Sequence, residues 1–236
     1  MTQDNLRILI CGDSFCVPDH MFPGLHWSEK ILNHSSKFNI FNLAYGGSSN
    51  ALISLQLLQG LQLNPDFVIF SFTKPLRYEF DKDIAALPDM TAPNQRDQHD
   101  HGYEHALLYF NRRYTTTCYV DNKEKIKTTD HWLATAASMN MEMMKNYMYL
   151  LMCMTTCVTQ GIPFCYSIGG FDDVAHLSDS NYIKNFINDY QDRALITNLW
   201  DHKIDGPRPW HHVSDDAVQT LFANECIDHI LRKKSC

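Results

Sequence analysis

The chain has 236 residues, enough for one domain with a sizeable core, and its 44% hydrophobic and 20% charged residues exclude a disordered polypeptide. A formal charge of -7 argues against a nucleic-acid binder that works by neutralising phosphates, and the only basic run, Arg232 to Lys234, reads as a solvated helix end. No window approaches the ~20 apolar residues that cross a bilayer, and the N-terminus enters the first strand without a charged leader and cleavage site. The expectation is a cytoplasmic or otherwise soluble chain without a signal peptide and with neither a nucleic-acid nor a membrane partner. Several of the eight cysteines sit inside apolar strand or helix patterns, which favours buried free thiols over disulfides.

In chain order, Arg7 to Cys11 is a short apolar run closed by Gly12, the form of a parallel strand buried on both faces. Helical spacing follows over Trp27 to Leu32, then a second strand over Phe38 to Leu43. A second helix runs from Ala51 to Leu61, and a third strand from Phe67 to Phe72 after Pro65-Asp66. Asp81 to Asp130 breaks this rhythm, being polar and without a clear period before Tyr109. A stretch that long is uncommon as structureless loop inside a compact domain, so a lid, a hairpin or a partner-contacting insertion is expected. Leu107 to Tyr109 and Tyr114 to Val120 are the candidate hairpin strands.

A long helix is predicted from about Asp130 to Gln160, with Met143, Tyr147, Leu150, Leu151, Met154 and Val158 on the face that packs on the sheet. Its many methionines read as core packing before they read as a soft ligand surface. Ile162 to Ile168 is a fourth strand, and a weaker helix lies near Tyr182 to Tyr190. The closing helix carries Val218, Leu221, Phe222, Cys226 and Ile230 as apolar positions, with Ser214 as N-cap and Asp215 and Asp216 in its first turn. Strands alternating with helices predict a three-layer α/β/α sandwich with a mostly parallel, flavodoxin-like sheet, one domain over 1–236 with an insertion at 81–130.

Ligands of open parallel sheets bind beyond the carboxyl ends of the strands. Those ends read Gly12-Asp13-Ser14-Phe15, Gly46-Gly47-Ser48-Ser49-Asn50 and Thr73-Lys74-Pro75. A serine in a tight glycine turn after the first strand suits a nucleophile whose neighbouring N–H groups face an oxyanion. An isolated Gly-Asp-Ser is more often a turn in which Asp13 or Ser14 caps the next segment. Order and context change those odds: an apolar strand before it, a Gly-rich loop after the second strand, and histidines just before the terminal helix.

With that order, Gly-Asp-Ser-Phe resembles the first block of the SGNH (GDSL-like) hydrolases, a resemblance that spans the chain through short motifs. It implies Ser14 as nucleophile and its N–H as one oxyanion donor. Asn42 to Asn50 resembles the second block, whose glycine N–H is another donor; Gly47 fits best and Gly46 is the fallback. The family's third block carries an asparagine oxyanion donor in a G-x-N-D pattern, and here Thr73 stands at the glycine and Pro75 at the asparagine. Loss of one such donor costs ~10²–10³ in turnover unless Thr73, Arg77, Asn50 or a loop residue substitutes. Arg77 is a surface charge or, at the crevice rim, a holder of an anionic substrate.

The last block of the family is D-x-x-H, supplying the base and its orienting acid. His212 matches it best, because His-x-Ser precedes the helix, and His211 comes second. Pro209 and Arg208 occupy the acid position in the two registers. Asp205 or Asp201 then serves from an altered loop, or a backbone carbonyl orients a Ser-His dyad; replacing the acid costs ~10⁴ in well-studied triads. His99, Asp100, His101 and His105 have metal-ligand residue types at short spacing, but such a loop cluster is more often solvated, and no metal is expected. His20, His26 and His34 show no comparable spacing.

The resemblance implies a serine esterase acting on a small or carbohydrate-linked acyl ester, with no cofactor. Asn50, Arg77 and His211 are the candidate substrate contacts, and nothing in the pattern specifies an oligomer. The competing class is a catalytically weakened SGNH-fold module that binds a glycan or partner protein. A third is an O-acyltransferase that uses the same Ser and His and excludes water. Phage-encoded and bacterial versions of the fold look similar, a hint at a phage-associated setting.

Overall fold

The computed structural model describes residues 5–18, 23–45, 48–73, 78–81, 114–117, 139–168, 189–202 and 215–232. Its strands are β1 (Leu6–Gly12), β2 (Phe38–Asn42), β3 (Phe67–Phe72), β4 (Tyr78–Asp81), β5 (Tyr114–Thr117) and β6 (Phe164–Ile168). The helices are α1 (Trp27–His34), α2 (Asn50–Gly60), α3 (Met139–Thr159) and α4 (Asp216–Arg232). Four strands form a parallel sheet in the order β2-β1-β3-β6.

The apolar runs become central strands because each residue has a core to enter on either side. Alternate side chains of β1 divide the interior: Ile8 and Ile10 pack with Trp27 and Ile31 of α1 and Phe222 and Ile230 of α4. Leu9 and Cys11 pack with Ile53 and Leu57 of α2 and Tyr147, Leu150 and Met154 of α3. Helices therefore cover both faces, the α/β sandwich predicted from the alternation of elements.

Several predicted details shift. The inward face of α3 carries Tyr147, Leu150, Cys153, Met154 and Cys157, whereas Leu151 and Val158, expected inside, are exposed. The buried stripe includes two cysteines, Cys153 and Cys157. On α4, Leu221 is exposed and Ile227 is buried in its place. That helix is capped by Asp215, whose carboxylate accepts from the Ala217 N–H (2.8 Å) and whose carbonyl accepts the Gln219 N–H. The expected cap, Ser214, lies outside the described residues.

β5 pairs antiparallel with β4; the 107–109 segment, the expected hairpin partner of 114–120, lies outside the described residues. Of the predicted helix at 182–190 only 189–190 are described. Beyond the β6 edge, Ala194 bridges Tyr166 in parallel, and the Leu195 N–H reaches the Tyr166 carbonyl at 2.8 Å. Glu225 of α4 fixes the next two residues by accepting the N–H groups of Ile196 and Thr197 and the Thr197 hydroxyl.

The order of the strands selects one place for a ligand. From β1 the chain crosses to β2 on one side and then to β3 on the other, so the sheet reverses its winding at the carboxyl end of β1. Crevices open at such switch points because the two flanking loops diverge to opposite faces. Ser14 follows directly.

Candidate active site

β1 ends at Gly12, and Ser14–Cys16 form a single 3₁₀ turn. Asp13 caps that turn: its Oδ1 accepts the Phe15 N–H at 3.0 Å, and its carbonyl accepts the Cys16 N–H at 3.0 Å. The bland role expected of an isolated Gly-Asp-Ser is thus real for Asp13, and it leaves the serine free of capping duty. Asp13, Phe15 and Cys16 are buried, while Ser14 is half-buried. Among the described residues neither the Ser14 hydroxyl nor its N–H has a hydrogen-bond partner.

Gly12 is required by close approach. A Cβ there would run into the Cys16 Sγ and come within 3.2 Å of both Cys16 Cβ and Ser71 Cβ. Its peptide groups are held by Gln56 of α2, whose Oε1 accepts the Gly12 N–H (2.8 Å) and whose Nε2 donates to the Gly12 carbonyl (3.1 Å) and to Ser48 Oγ (3.1 Å). A side chain here acts as a strand neighbour would, just where the sheet runs out of strand.

Three further donors fix the far end of the turn. The Phe15 carbonyl accepts from Trp27 Nε1 at 2.9 Å and from His26 Nε2 at 3.0 Å, and Asn42 Nδ2 donates to the Cys16 carbonyl at 2.7 Å. His26 also caps α1, its Nδ1 accepting the Ser28 N–H while Glu29 reaches back to the His26 N–H. Accepting at Nδ1 and donating at Nε2 defines the neutral Nε2–H tautomer. The His-x-x-Glu spacing was the sequence signal for this role, since it follows the capping-box pattern with histidine as cap.

Thr73 and Asn50 stand where the sequence sets them, at the β3 end and the first turn of α2, but both face inward. The Thr73 hydroxyl donates to Asp13 Oδ2 (2.8 Å) and its N–H to Asn50 Oδ1 (2.9 Å), so neither donor is open to an oxyanion. Asn50 is fully buried, with Nδ2 donating to the Thr73 carbonyl (2.9 Å) and to Asn146 Oδ1 (2.8 Å). Both of its N–H donors are committed, and the side chain has no exposed surface. Both residues, expected at the oxyanion and the substrate, are engaged in a buried network with Asp13 and Asn146.

His212, His211, Asp205, Gly47, Gly46 and Arg77 lie outside the described residues, as does the His99 to His105 cluster; Asp201 falls in the single turn Leu199–His202. Among the described residues no group of three or more His, Cys, Asp or Glu side chains could hold a metal ion.

The buried cysteines near the sheet are poor nucleophiles. Burial pushes the Cys16 thiol well up, with the neighbouring Asp13 adding to the effect, and burial likewise raises Cys11. Thiols held protonated are inert.

No protein-family model matches the sequence, and no curated protein is significantly similar to it. Among solved structures, the chain is similar to an acetyl xylan esterase, AlAXEase, at 10% identity and a TM-score of 0.48, over 95% of this chain and 100% of that one. It is also similar to a member of the lipolytic G-D-S-L family from Veillonella parvula DSM 2008, at 10% identity and 0.47, over 96% and 99%. A third is TesA, at 11% identity and 0.46, over 95% and 98%. Likeness at this level concerns the path of the chain and bears no weight for chemistry. Among the described residues, no helix is long and apolar enough to cross a membrane.

Proposed function

We propose that the chain is a serine esterase of the SGNH type that cleaves a small or carbohydrate-linked acyl ester. The observation that supports this reading is Ser14: half-buried at the switch point of a parallel sheet, on a turn whose Gly12, Asp13, Phe15 and Cys16 are all hydrogen-bonded while its own hydroxyl and N–H are engaged by no described residue. Such rigidity is costly to assemble and useful mainly for holding one atom still.

In this reading Ser14 Oγ attacks the ester carbonyl as His212 takes its proton. The N–H groups of Ser14 and Gly47 hold the oxyanion, and His212 returns the proton to the departing alcohol. Water, activated by the same histidine, then hydrolyses the acyl-enzyme. Asp205 orients the imidazole. With both Thr73 donors committed and no block-three asparagine, two N–H groups make the oxyanion hole, which sets turnover ~10²–10³ below that of a site with the third donor.

The same commitment of Thr73 favours a second reading, an SGNH-fold module that uses the crevice to bind a glycan or partner protein. Hydrolysis of a short-chain aryl acetate separates the two. Turnover that falls by ~10⁴-fold or more in both Ser14→Ala and His212→Ala supports the esterase. A folded wild type with no turnover above these variants leaves the binding module.

A further inference from the structure

We infer that Thr73 is a positioning residue for Ser14, acting through the buried carboxylate of Asp13; the inference rests on the serine-esterase reading of the site. Asp13 has no exposed surface. A carboxylate that only capped a three-residue turn would do so from the surface, where water completes its shell without a desolvation cost. Here the two oxygens are divided: Oδ1 holds the turn that carries Ser14, and Oδ2 takes the hydroxyl of Thr73 from the neighbouring strand end. The carboxylate is a rigid bridge between β3 and the nucleophile turn.

Thr73 is itself held against movement. Asn50 grips its peptide groups from both sides, at 2.9 Å each, in the manner of a strand neighbour beyond the end of β3. The remaining Asn50 N–H is tied to Asn146 on α3. The first turn of α2, the end of β3 and the body of α3 thus converge on the Thr73 backbone, and the Thr73 hydroxyl carries that restraint to Asp13, one residue before Ser14. Valine has the shape of threonine without the donor, so Thr73→Val cuts this chain of contacts at a single bond.

A nucleophile displaced by about 1 Å loses about 10²-fold in rate, and loss of one of several restraints displaces it by less. Thr73→Val is therefore expected to lower kcat about 10- to 100-fold with KM little changed, and Thr73→Ser, which keeps the hydroxyl, to restore it. The rate of reaction with a fluorophosphonate should follow kcat. In an Asp13→Ala background the valine substitution should cost nothing more, because the link is already cut.

A purely structural role would lower the melting temperature and leave the rate of the folded fraction unchanged. A direct oxyanion donor would cost as much in the Asp13→Ala background as in wild type. The inference is overturned if wild type reacts and folded Thr73→Val reacts as fast, or if its loss recurs in full without Asp13. A wild type that does not react at all overturns the esterase reading and this inference with it, an outcome distinguishable from the other two.

Discussion

Replacing Gly12 by alanine adds one methyl group where the strand meets the turn. The new Cβ lands on the Cys16 Sγ and lies 3.2 Å from Cys16 Cβ and Ser71 Cβ. Cys16 is fully buried, so its sulfur has no solvent to swing into. Ser71 is pinned beside Gly12 in the β1–β3 register. The strain has to be relieved by moving the turn, since the strand on the other side is bonded to two neighbours. Overpacking by one methyl costs about 1–3 kcal/mol, which for a chain of this size lowers the melting temperature by about 2–12 °C. Moving the turn moves Ser14, and the fluorophosphonate reaction should slow by about 10- to 100-fold. Cys16→Ala removes the clashing sulfur, so the double variant should be more stable than the sum of the two single losses implies. The measurements are thermal unfolding and labelling rate on all three variants. A Gly12→Ala protein that melts and labels as wild type, or a double variant whose losses simply add, would refute the close-packing account.

His26→Ala removes both an N-cap and a bond to the Phe15 carbonyl, and should cost about 1–2 kcal/mol in denaturant unfolding. His26→Ser keeps a cap without the reach to Phe15, so it should recover about half of that loss; equal losses in both would place the whole effect elsewhere. The buried thiols predict alkaline instability. Burial raises Cys11, Cys16 and Cys226 well above the ordinary thiol value of 9.0, and Cys157 to about 12. Below the unfolded-state value both states hold the proton and stability is flat. Above it the unfolded chain alone releases protons, so stability falls, by up to about 1.4 kcal/mol per pH unit for each thiol, until the folded-state value is reached. Unfolding under reducing conditions from pH 7 to 10.5 should show a plateau followed by this decline, and a midpoint that stays flat across pH 9 would contradict it.

The central strands were legible because a parallel strand buried on both faces must be an unbroken apolar run, and β3 carries the same bounds in sequence and structure. The helix faces were legible only to within part of a turn. Cys153 and Cys157 carry the inward stripe of α3, and a cysteine counts for little in a pattern read from large side chains. At the start of α4, Ser214 and Asp215 are adjacent capping residues, and nothing local chooses between them. The partner of β5 lies in Tyr78–Asp81, across a sequence gap that no periodicity bridges.

The turn that carries Ser14 was readable from the residues around it, since a Gly-Asp-Ser turn after an apolar strand is a local feature. The network behind it was not. Asn50 meets Thr73 across 23 positions, and Thr73 meets Asp13 across 60. Contacts between polar side chains and backbone at that separation leave no pattern, so Thr73 reads in sequence as an open donor and in the fold as a closed one.

The most direct test of the central claim is covalent: treat the protein with a fluorophosphonate, digest it, and locate the adduct by peptide mass spectrometry. The account predicts a single adduct on the peptide containing Ser14, absent from Ser14→Ala and strongly slowed in His212→Ala. An adduct on another residue, or none on a folded wild type, would contradict it.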